Sequence, residues 1–155
     1  MVLSADKSKL YLWDTYNSVI STYTIATNQW QNGTEPAGMG YKSRLAAALD
    51  PDTNIMYIPN GFYGTGGMVA YNANTGVSTS ITTPTIPKDL SSYGLMWSTH
   101  RKSMLLYAGN NGSIVTFSEL YEFNPATGSW TTLTASGVGP GALSGHCMVP
   151  AYGGT

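Results

Sequence analysis

The residues best suited to catalysis or metal binding are few in this chain of 155 residues, which has two histidines, one cysteine and eight acidic residues. His146 and Cys147 are adjacent near the C-terminus, whereas His100 lies far from them in the sequence. Zinc or copper needs several such ligands together, and a nucleophilic cysteine needs surroundings that lower its pKa. Because Cys147 lies in an apolar run between His146 and Met148, we interpret it as a buried small hydrophobic residue, and both histidines as structural.

No short motif adds a catalytic centre. The sequence contains no HExxH, CxxC or GxSxG pattern. The glycines of residues 64–67 precede a predicted strand, so they lack the helix N-terminus that binds phosphate. Five acidic residues are predicted in turns or strands without an evident pairing: Asp50, Asp52, Asp89, Glu119 and Glu122. We therefore predict no catalytic residue, no metal site and no cofactor.

The composition narrows the range of partners. Only 10% of the residues are charged and the net charge is -1, so no basic surface for nucleic acid is indicated. No apolar run approaches the ~20 residues of a membrane-spanning helix, and the N-terminus lacks the pattern of a signal peptide. Polarity carried by Ser, Thr, Asn, Gly and Tyr favours strands and turns, and it slightly favours an extracellular or cell-surface location over a cytoplasmic one.

The elements that would position any site follow from a pattern that recurs three times. Each unit has an aromatic residue, a Thr four positions later and a closing residue: Tyr23 to Trp30, Tyr71 to Ser78 and Phe123 to Trp130. The residue after the Thr is Asn28, Gly76 or Gly128, which supplies the positive φ of a tight hairpin. The Trp is expected to begin an outermost strand and to pack against a neighbouring unit, which Ser78 cannot do.

Further apolar runs precede each hairpin and complete the unit. A short apolar run lies upstream of each hairpin: KLYLWD (9–14), NIMYIPNG (54–61) and KSMLLYAG (102–109). In two units another run, which barely alternates, comes before it: LAAALD (45–50) and GLMWS (94–98). A run that barely alternates is typical of a strand buried on both faces. Four short strands per ~50 residues, repeated without helical periodicity, are typical of β-propeller blades. We predict an all-β chain of about three four-stranded antiparallel blades, with repeats at 1–43, 44–93 and 94–144 and a partial fourth at 145–155.

The repeats resemble kelch repeats of the galactose-oxidase-like kind. NPATGSW (124–130) is close to the wording of that family, and the repeated aromatic and Trp positions match its pattern. The diglycine of the family is replaced in every unit, by Trp13-Asp14, Asn60-Gly61 and Ala108-Gly109. The resemblance implies a β-propeller, and it covers essentially the whole chain.

The same family includes a copper oxidase, whose metal is held by two His and two Tyr, one of them cross-linked to Cys. His146 is predicted on an innermost strand, but His100 is predicted in a turn at the other end of its blade, so we do not expect them to share a metal. The alternative function is nevertheless kept. The chain would then be a fragment of an extracellular carbohydrate-active or galactose-oxidase-like enzyme whose catalytic residues lie outside it.

Three blades are fewer than the six or seven that usually close a kelch ring. Residues 148–151 align with residues 1–4, so the three repeats average about 49 residues. The chain is either a fragment of a longer propeller, which we favour, or half of a six-bladed dimeric ring in which each copy lends residues 145–149 to the first blade of its partner. A three-blade wedge is expected to self-associate through its exposed blade edges.

The predicted ligand face consists of second-to-third-strand loops (14–20, 60–67 and 109–117) and blade-to-blade loops (31–44, 82–93 and 134–144). Ten residues form the candidate ligand-binding surface: Tyr16, Asn17, Tyr41, Lys42, Arg44, Asn60, Phe62, Tyr63, Tyr93 and Asn110. Aromatic and amide side chains are what protein hot spots and sugar sites use. The alternative is that the tyrosines wedge between blades and the amides satisfy turn backbones. We predict a non-catalytic scaffold that binds a protein or a glycan.

Two triplets match the N-glycosylation sequence, at Asn32 and at Asn111. They agree with the slight preference for an extracellular location. A third function, that of a purely structural spacer in a surface protein, predicts glycosylation at these residues and no ligand.

Overall fold

The computed structural model describes residues 1–14, 16–33, 46–59, 67–82, 90–112 and 115–150. These residues form twelve β-strands, and no helix among them is long and apolar enough to span a membrane. The prediction of an all-β chain with three four-stranded antiparallel sheets is confirmed. The fold is a partial β-propeller.

Each sheet is a meander in which strands follow one another in chain order. The first sheet contains β1 (Val2–Leu3), β2 (Lys9–Asp14), β3 (Val19–Thr24) and β4 (Gln29–Gln31). The second contains β5 (Ala48–Asp50), β6 (Ile55–Pro59), β7 (Met68–Asn72) and β8 (Val77–Ile81). The third contains β9 (Gly94–Ser98), β10 (Ser103–Asn110), β11 (Thr116–Asn124) and β12 (Ser129–Leu133). Neighbouring sheets meet along their first strands, where β5 contacts both β1 and β9.

The hairpins between the third and fourth strands follow the repeated turn residues. Asn28, Gly76 and Gly128 have φ of 56°, 72° and 65°, the left-handed conformation that the pattern predicts. Asn72 and Asn124 begin two of these turns, and each side-chain oxygen accepts a hydrogen bond from the backbone two residues later, at 2.9 Å. The turn chemistry therefore sets the register of the outer strands.

The repeated aromatic residues define two sides of every sheet. We call the side that carries Tyr23, Tyr71 or Phe123 the rear face, and the opposite side the front face. Tyr23 pairs with Trp30 across the hairpin and Phe123 with Trp130, at ring distances of 5.1 and 5.3 Å. Tyr71 pairs with Ser78 in the same register, so the second sheet lacks this aromatic contact.

The core lies between the sheets, where the front face of one packs on the rear face of the next. Tyr11 and Ile20 of the first sheet cover a buried patch of the second sheet that includes Met56 and Ile58. Between the second and third sheets the core is larger and more aromatic, and Tyr57 stacks on Trp97 with ring centroids 5.8 Å apart. Each sheet thus buries apolar surface that it could not bury alone.

Candidate functional site

Tyr16 and Asn17 lie on the turn that joins β2 to β3, at the loop end of the first sheet. One carboxylate oxygen of Asp14 accepts hydrogen bonds from the backbone N–H groups of Tyr16 and Asn17, at 2.9 and 3.2 Å. The other accepts one from the Asn17 side-chain amide at 2.7 Å. These hydrogen bonds lower the pKa of Asp14, and the bond from the Asn17 side-chain amide contributes most. The turn is thereby fixed with the Tyr16 side chain in solvent, 79% exposed.

Tyr93 belongs instead to the contact between the second and third sheets. Its ring is buried, and its hydroxyl donates a hydrogen bond to the carbonyl oxygen of Pro59 at 3.2 Å. Burial raises the pKa of the Tyr93 hydroxyl. The side chain therefore wedges between sheets, as the structural alternative in the sequence analysis describes, and contributes no exposed surface.

Asn110 is likewise buried, at the end of β10. Its side-chain oxygen accepts hydrogen bonds from the Ser91 hydroxyl at 2.9 Å and from the backbone N–H of Gly112 at 3.0 Å. Backbone bonds between Ser91 and Asn110 close the same contact. Asn110 thus ties the loop before the third sheet to the end of β10, and its amide satisfies the local backbone.

The other six candidate ligand-binding residues lie outside the described residues: Tyr41, Lys42, Arg44, Asn60, Phe62 and Tyr63. The two candidate glycosylation residues are described. Asn32 is exposed just after β4, and its side-chain oxygen is 3.5 Å from the Ser21 hydroxyl. Asn111 is half-buried after β10.

A groove on the third sheet was not predicted from the sequence. It has a volume of about 830 Å³ and lies between β11, β12 and the chain that follows them, with Leu120, Leu133 and Leu143 among its lining residues. The Tyr107 hydroxyl donates a hydrogen bond to the Gly141 carbonyl oxygen at 2.7 Å. The N–H of Gly109 donates one to the Leu143 carbonyl oxygen at 2.9 Å. These bonds hold residues 134–148 across one side of the sheet.

A β-bulge on β10 makes this arrangement possible. The register with β11 shifts between Tyr107 and Gly109, and both Ala108 and Gly109 have positive φ, of 56° and 104°. A bulge bends the strand and redirects the backbone groups beyond it. The glycine at 109 is the sequence signal that could have indicated it.

His146 packs at one end of the groove. Its ring meets Tyr107 edge to face at 5.8 Å, and a Cβ added at Gly94 would lie only 2.5 Å from its Nε2. Both ring nitrogens are buried and have no hydrogen-bond partner among the described residues. Residues 145–150 lie beside β9 but form no strand, contrary to the prediction of an innermost strand there.

The interpretation of Cys147 as buried is wrong. His146 and Met148 both face Gly94, so the residue between them faces solvent, and the Cys147 thiol is exposed. His100 lies in the turn after β9, as predicted, whereas His146 packs at the start of that strand. A strand rises about 3.3 Å per residue, so roughly 15–20 Å separates the two histidines, too far to share a metal. Within the described ranges, no three His, Cys, Asp or Glu side chains cluster closely enough to hold a metal ion.

Comparisons with protein-family models and with curated proteins found no match to this chain.

Proposed function

We propose that the chain is a non-catalytic protein-binding scaffold of the kelch-propeller type, with its ligand docked on the loop face. Two features support the kelch resemblance. The outer hairpins carry the repeated aromatic and turn residues in register. Ala108 and Gly109, at the diglycine position of the family, both adopt the positive φ that glycine favours.

The exposed Tyr16 side chain on its fixed turn carries the proposal. A tyrosine offers a large contact area for two side-chain torsions, so ordering it on binding costs little entropy. The Asp14 hydrogen bonds hold the turn before a ligand arrives, which lowers that cost further. An aromatic ring beside amide and carboxylate groups suits a protein partner, which can pack on the ring and hydrogen-bond to its neighbours.

Other exposed apolar side chains on the same end of the sheets favour a protein over a sugar. Val115 lies between β10 and β11, and Val138 lies on the loop after β12. Loops between second and third strands and loops after fourth strands emerge at one end of a meander. A protein partner could therefore bury these side chains together with Tyr16.

The test uses peptides selected from a random phage-displayed library on the immobilised chain. The Tyr16→Ala variant should weaken binding of a selected peptide at least ~10-fold, equivalent to about 1.4 kcal/mol. Ile25→Ala is the matched control, because Ile25 is also exposed but lies on a turn at the opposite end of the first sheet. Isothermal titration calorimetry would measure each affinity.

Further measurements on the chain and on Tyr16→Ala distinguish a protein ligand from a glycan ligand and from the oxidase-fragment alternative. Binding on an oligosaccharide array that Tyr16→Ala abolishes would identify a glycan ligand instead of a protein. Peptide binding equally strong in Tyr16→Ala would place the ligand elsewhere and contradict the proposal. Copper retained through purification, measured by elemental analysis, would favour the oxidase fragment.

A further inference from the structure

The two contacts between neighbouring sheets are built from equivalent rows of side chains. In each sheet, strand pairing places four rear-face residues side by side in one row. The row is Leu3, Leu10, Tyr23 and Trp30 in the first sheet. It is Leu49, Met56, Tyr71 and Ser78 in the second sheet, and Trp97, Met104, Phe123 and Trp130 in the third. In the second and third sheets the residue on the second strand is buried, with Met56 1% and Met104 0% exposed. The front face of the preceding sheet covers both. The row is therefore a surface that packs on a front face.

The same row in the first sheet has no cover among the described residues. Trp30 is 51% exposed and Leu3 is 42% exposed, while Leu10 and Tyr23 are half-buried. Leu12, beside Leu10 on the same face, is half-buried too. Contiguous exposed apolar side chains of this kind mark an interaction surface.

The third sheet carries the complementary front face. By register, Leu105 stands where the second sheet has Tyr57, and Leu120 stands where it has Met68. Tyr57 and Met68 are buried under the third sheet, but Leu105 and Leu120 are only half-buried. The groove of about 830 Å³ opens over this face. An uncovered front face and an uncovered rear face thus lie at the two ends of one chain.

Charge does not oppose contact at this front face. Glu122 lies on it, and the Arg101 guanidinium donates two hydrogen bonds to its carboxylate at 2.7 and 2.8 Å. The Ser103 hydroxyl donates a third at 2.5 Å. The charge of Glu122 is therefore compensated within the sheet, so an apolar partner need not bury an unpaired carboxylate.

The chain after β12 already occupies the position of a sheet-to-sheet loop. His146 follows Tyr93 by 53 positions, and each comes directly after a residue with positive φ, Gly145 at 69° and Ser92 at 54°. The ring of Tyr93 reaches Pro59, and His146 contacts Tyr107, which holds the register position of Pro59 in the third sheet. This segment is thus docked on the front face of the third sheet, as Tyr93 is docked against Pro59 of the second.

We propose that a second copy of this chain docks head to tail, so that the rear face of its first sheet covers the front face of the third sheet. The occupant follows from continuity with the two contacts inside the chain, since the uncovered faces are the two halves of the same repeated contact. In a dimer, the rear face of each first sheet can cover the front face of the other copy's third sheet. Two such contacts would close a symmetric dimer with six sheets in total. This inference concerns assembly and goes beyond the proposed ligand binding.

The experiment measures the solution mass of the 155-residue chain and of two variants, by light scattering over a wide range of concentration. Trp30→Lys places a charge on the rear face of the first sheet, and Leu105→Lys places one on the front face of the third. Val77→Lys is the control, because Val77 is exposed on β8, away from both faces. We expect the unmodified chain and the control to be dimers, and each test variant to be a monomer.

An equimolar mixture of the two monomeric variants sharpens the test. The Leu105→Lys variant keeps an intact rear face on its first sheet, and the Trp30→Lys variant keeps an intact front face on its third sheet. These two faces should bind each other and restore a dimer held by a single interface. Circular dichroism checks that each variant remains folded. Leu3→Lys and Leu133→Lys replace any variant that does not fold.

Three outcomes would overturn the proposal. A monomeric unmodified chain would mean that neither face binds a second copy, as when both are covered by other blades of a longer chain. An assembly that survives both substitutions would use another surface. A dimer broken by Trp30→Lys, unaffected by Leu105→Lys and not restored by mixing would join two first sheets to each other.

Discussion

The hairpin that ends the first sheet and the hairpin that ends the third have nearly the same internal geometry and opposite surroundings. Tyr23 and Trp30 lie 5.1 Å apart with a ring angle of 48°, and Phe123 and Trp130 lie 5.3 Å apart at the same angle. Phe123 is nevertheless fully buried and Trp130 packs against the core, whereas Trp30 is mostly exposed.

This difference separates what a hairpin determines from what a neighbour determines. The ring pair forms because two residues face each other across a short turn, which needs no other sheet. Burial of the ring pair requires contact with the front face of a preceding sheet. Phe123 makes this contact with Tyr57 of the second sheet, at a ring distance of 6.0 Å. Equal local geometry should therefore give unequal contributions to stability.

The largest expected effect is that of Phe123→Ala compared with Tyr23→Ala. Removing the buried ring of Phe123 should lower the free energy of unfolding by about 3–5 kcal/mol. Removing the half-buried ring of Tyr23 should cost about 1 kcal/mol, mainly the lost contact with Trp30. Urea unfolding in the Leu105→Lys background, which removes the proposed contact between copies, would measure both. Equal losses would show that the rear face of the first sheet is already covered within one chain.

A smaller effect is expected at the bulge, which the third sheet has and the described part of the first sheet lacks. Ala at position 109 would have to adopt φ of 104°, and its Cβ would lie 2.9 Å from the carbonyl oxygen of Ser91. We expect Gly109→Ala to lower the free energy of unfolding by about 2–3 kcal/mol. Gly137→Ala is the control, with φ of 86° and no atom within 4 Å of the added Cβ, and should cost about 1 kcal/mol. Thermal unfolding that ranks the two glycines equally would contradict the close packing at Ser91.

An acid-dependent effect is expected at Glu122 in the third sheet, where the first sheet has Thr22 at the same register position. The hydrogen bonds from Arg101 are the main cause that lowers the pKa of Glu122 from 4.5 to about 2. A carboxylate with a lowered folded-state pKa stabilises the fold above pH 4.5, and this contribution is lost as the pH falls towards 2.

The Glu122→Gln variant tests this dependence. Because Arg101 is partly exposed, solvent screening reduces the contribution to about 1 kcal/mol. Urea unfolding of the unmodified chain and the variant should differ by that amount near neutral pH and converge in acid. A difference that stays constant with pH would show that the pair does not titrate as described.

The smallest effect is expected at Lys7, in the turn between β1 and β2. Lys7 has φ of 60°, and Asn54 has φ of 55° in the matching turn of the second sheet. Asn tolerates this conformation better than Lys, so Lys7→Asn should raise the free energy of unfolding by about 0.5 kcal/mol. Asn54→Lys should lower it by a similar amount in urea unfolding. Two changes of the same sign would rule out backbone conformation as the cause.

Some residues of the candidate site are exposed and others are buried, and the sequence could not predict which. Tyr16 and Tyr93 are both tyrosines in predicted loops, yet the first is exposed and the second wedges between two sheets. Which ring points outwards depends on whether another sheet packs over its loop, a relation between residues far apart in the chain. The groove beside β11 and β12 went unpredicted for the same reason, because it forms where residues 134–148 fold back over the sheet.

The sequence by itself determined the strands of the three sheets, their meander order and their turns, because short apolar runs and turn residues such as Asn28, Gly76 and Gly128 act through neighbours in the chain. Only the tertiary structure decided which faces are covered. The exposure of Cys147 depends on how residues 145–150 pack beside β9, and the burial of Asn110 on its contact with Ser91. The opposite surroundings of Trp30 and Trp130 depend on packing between sheets. Packing joins residues that are distant in the sequence, so no local pattern encodes it.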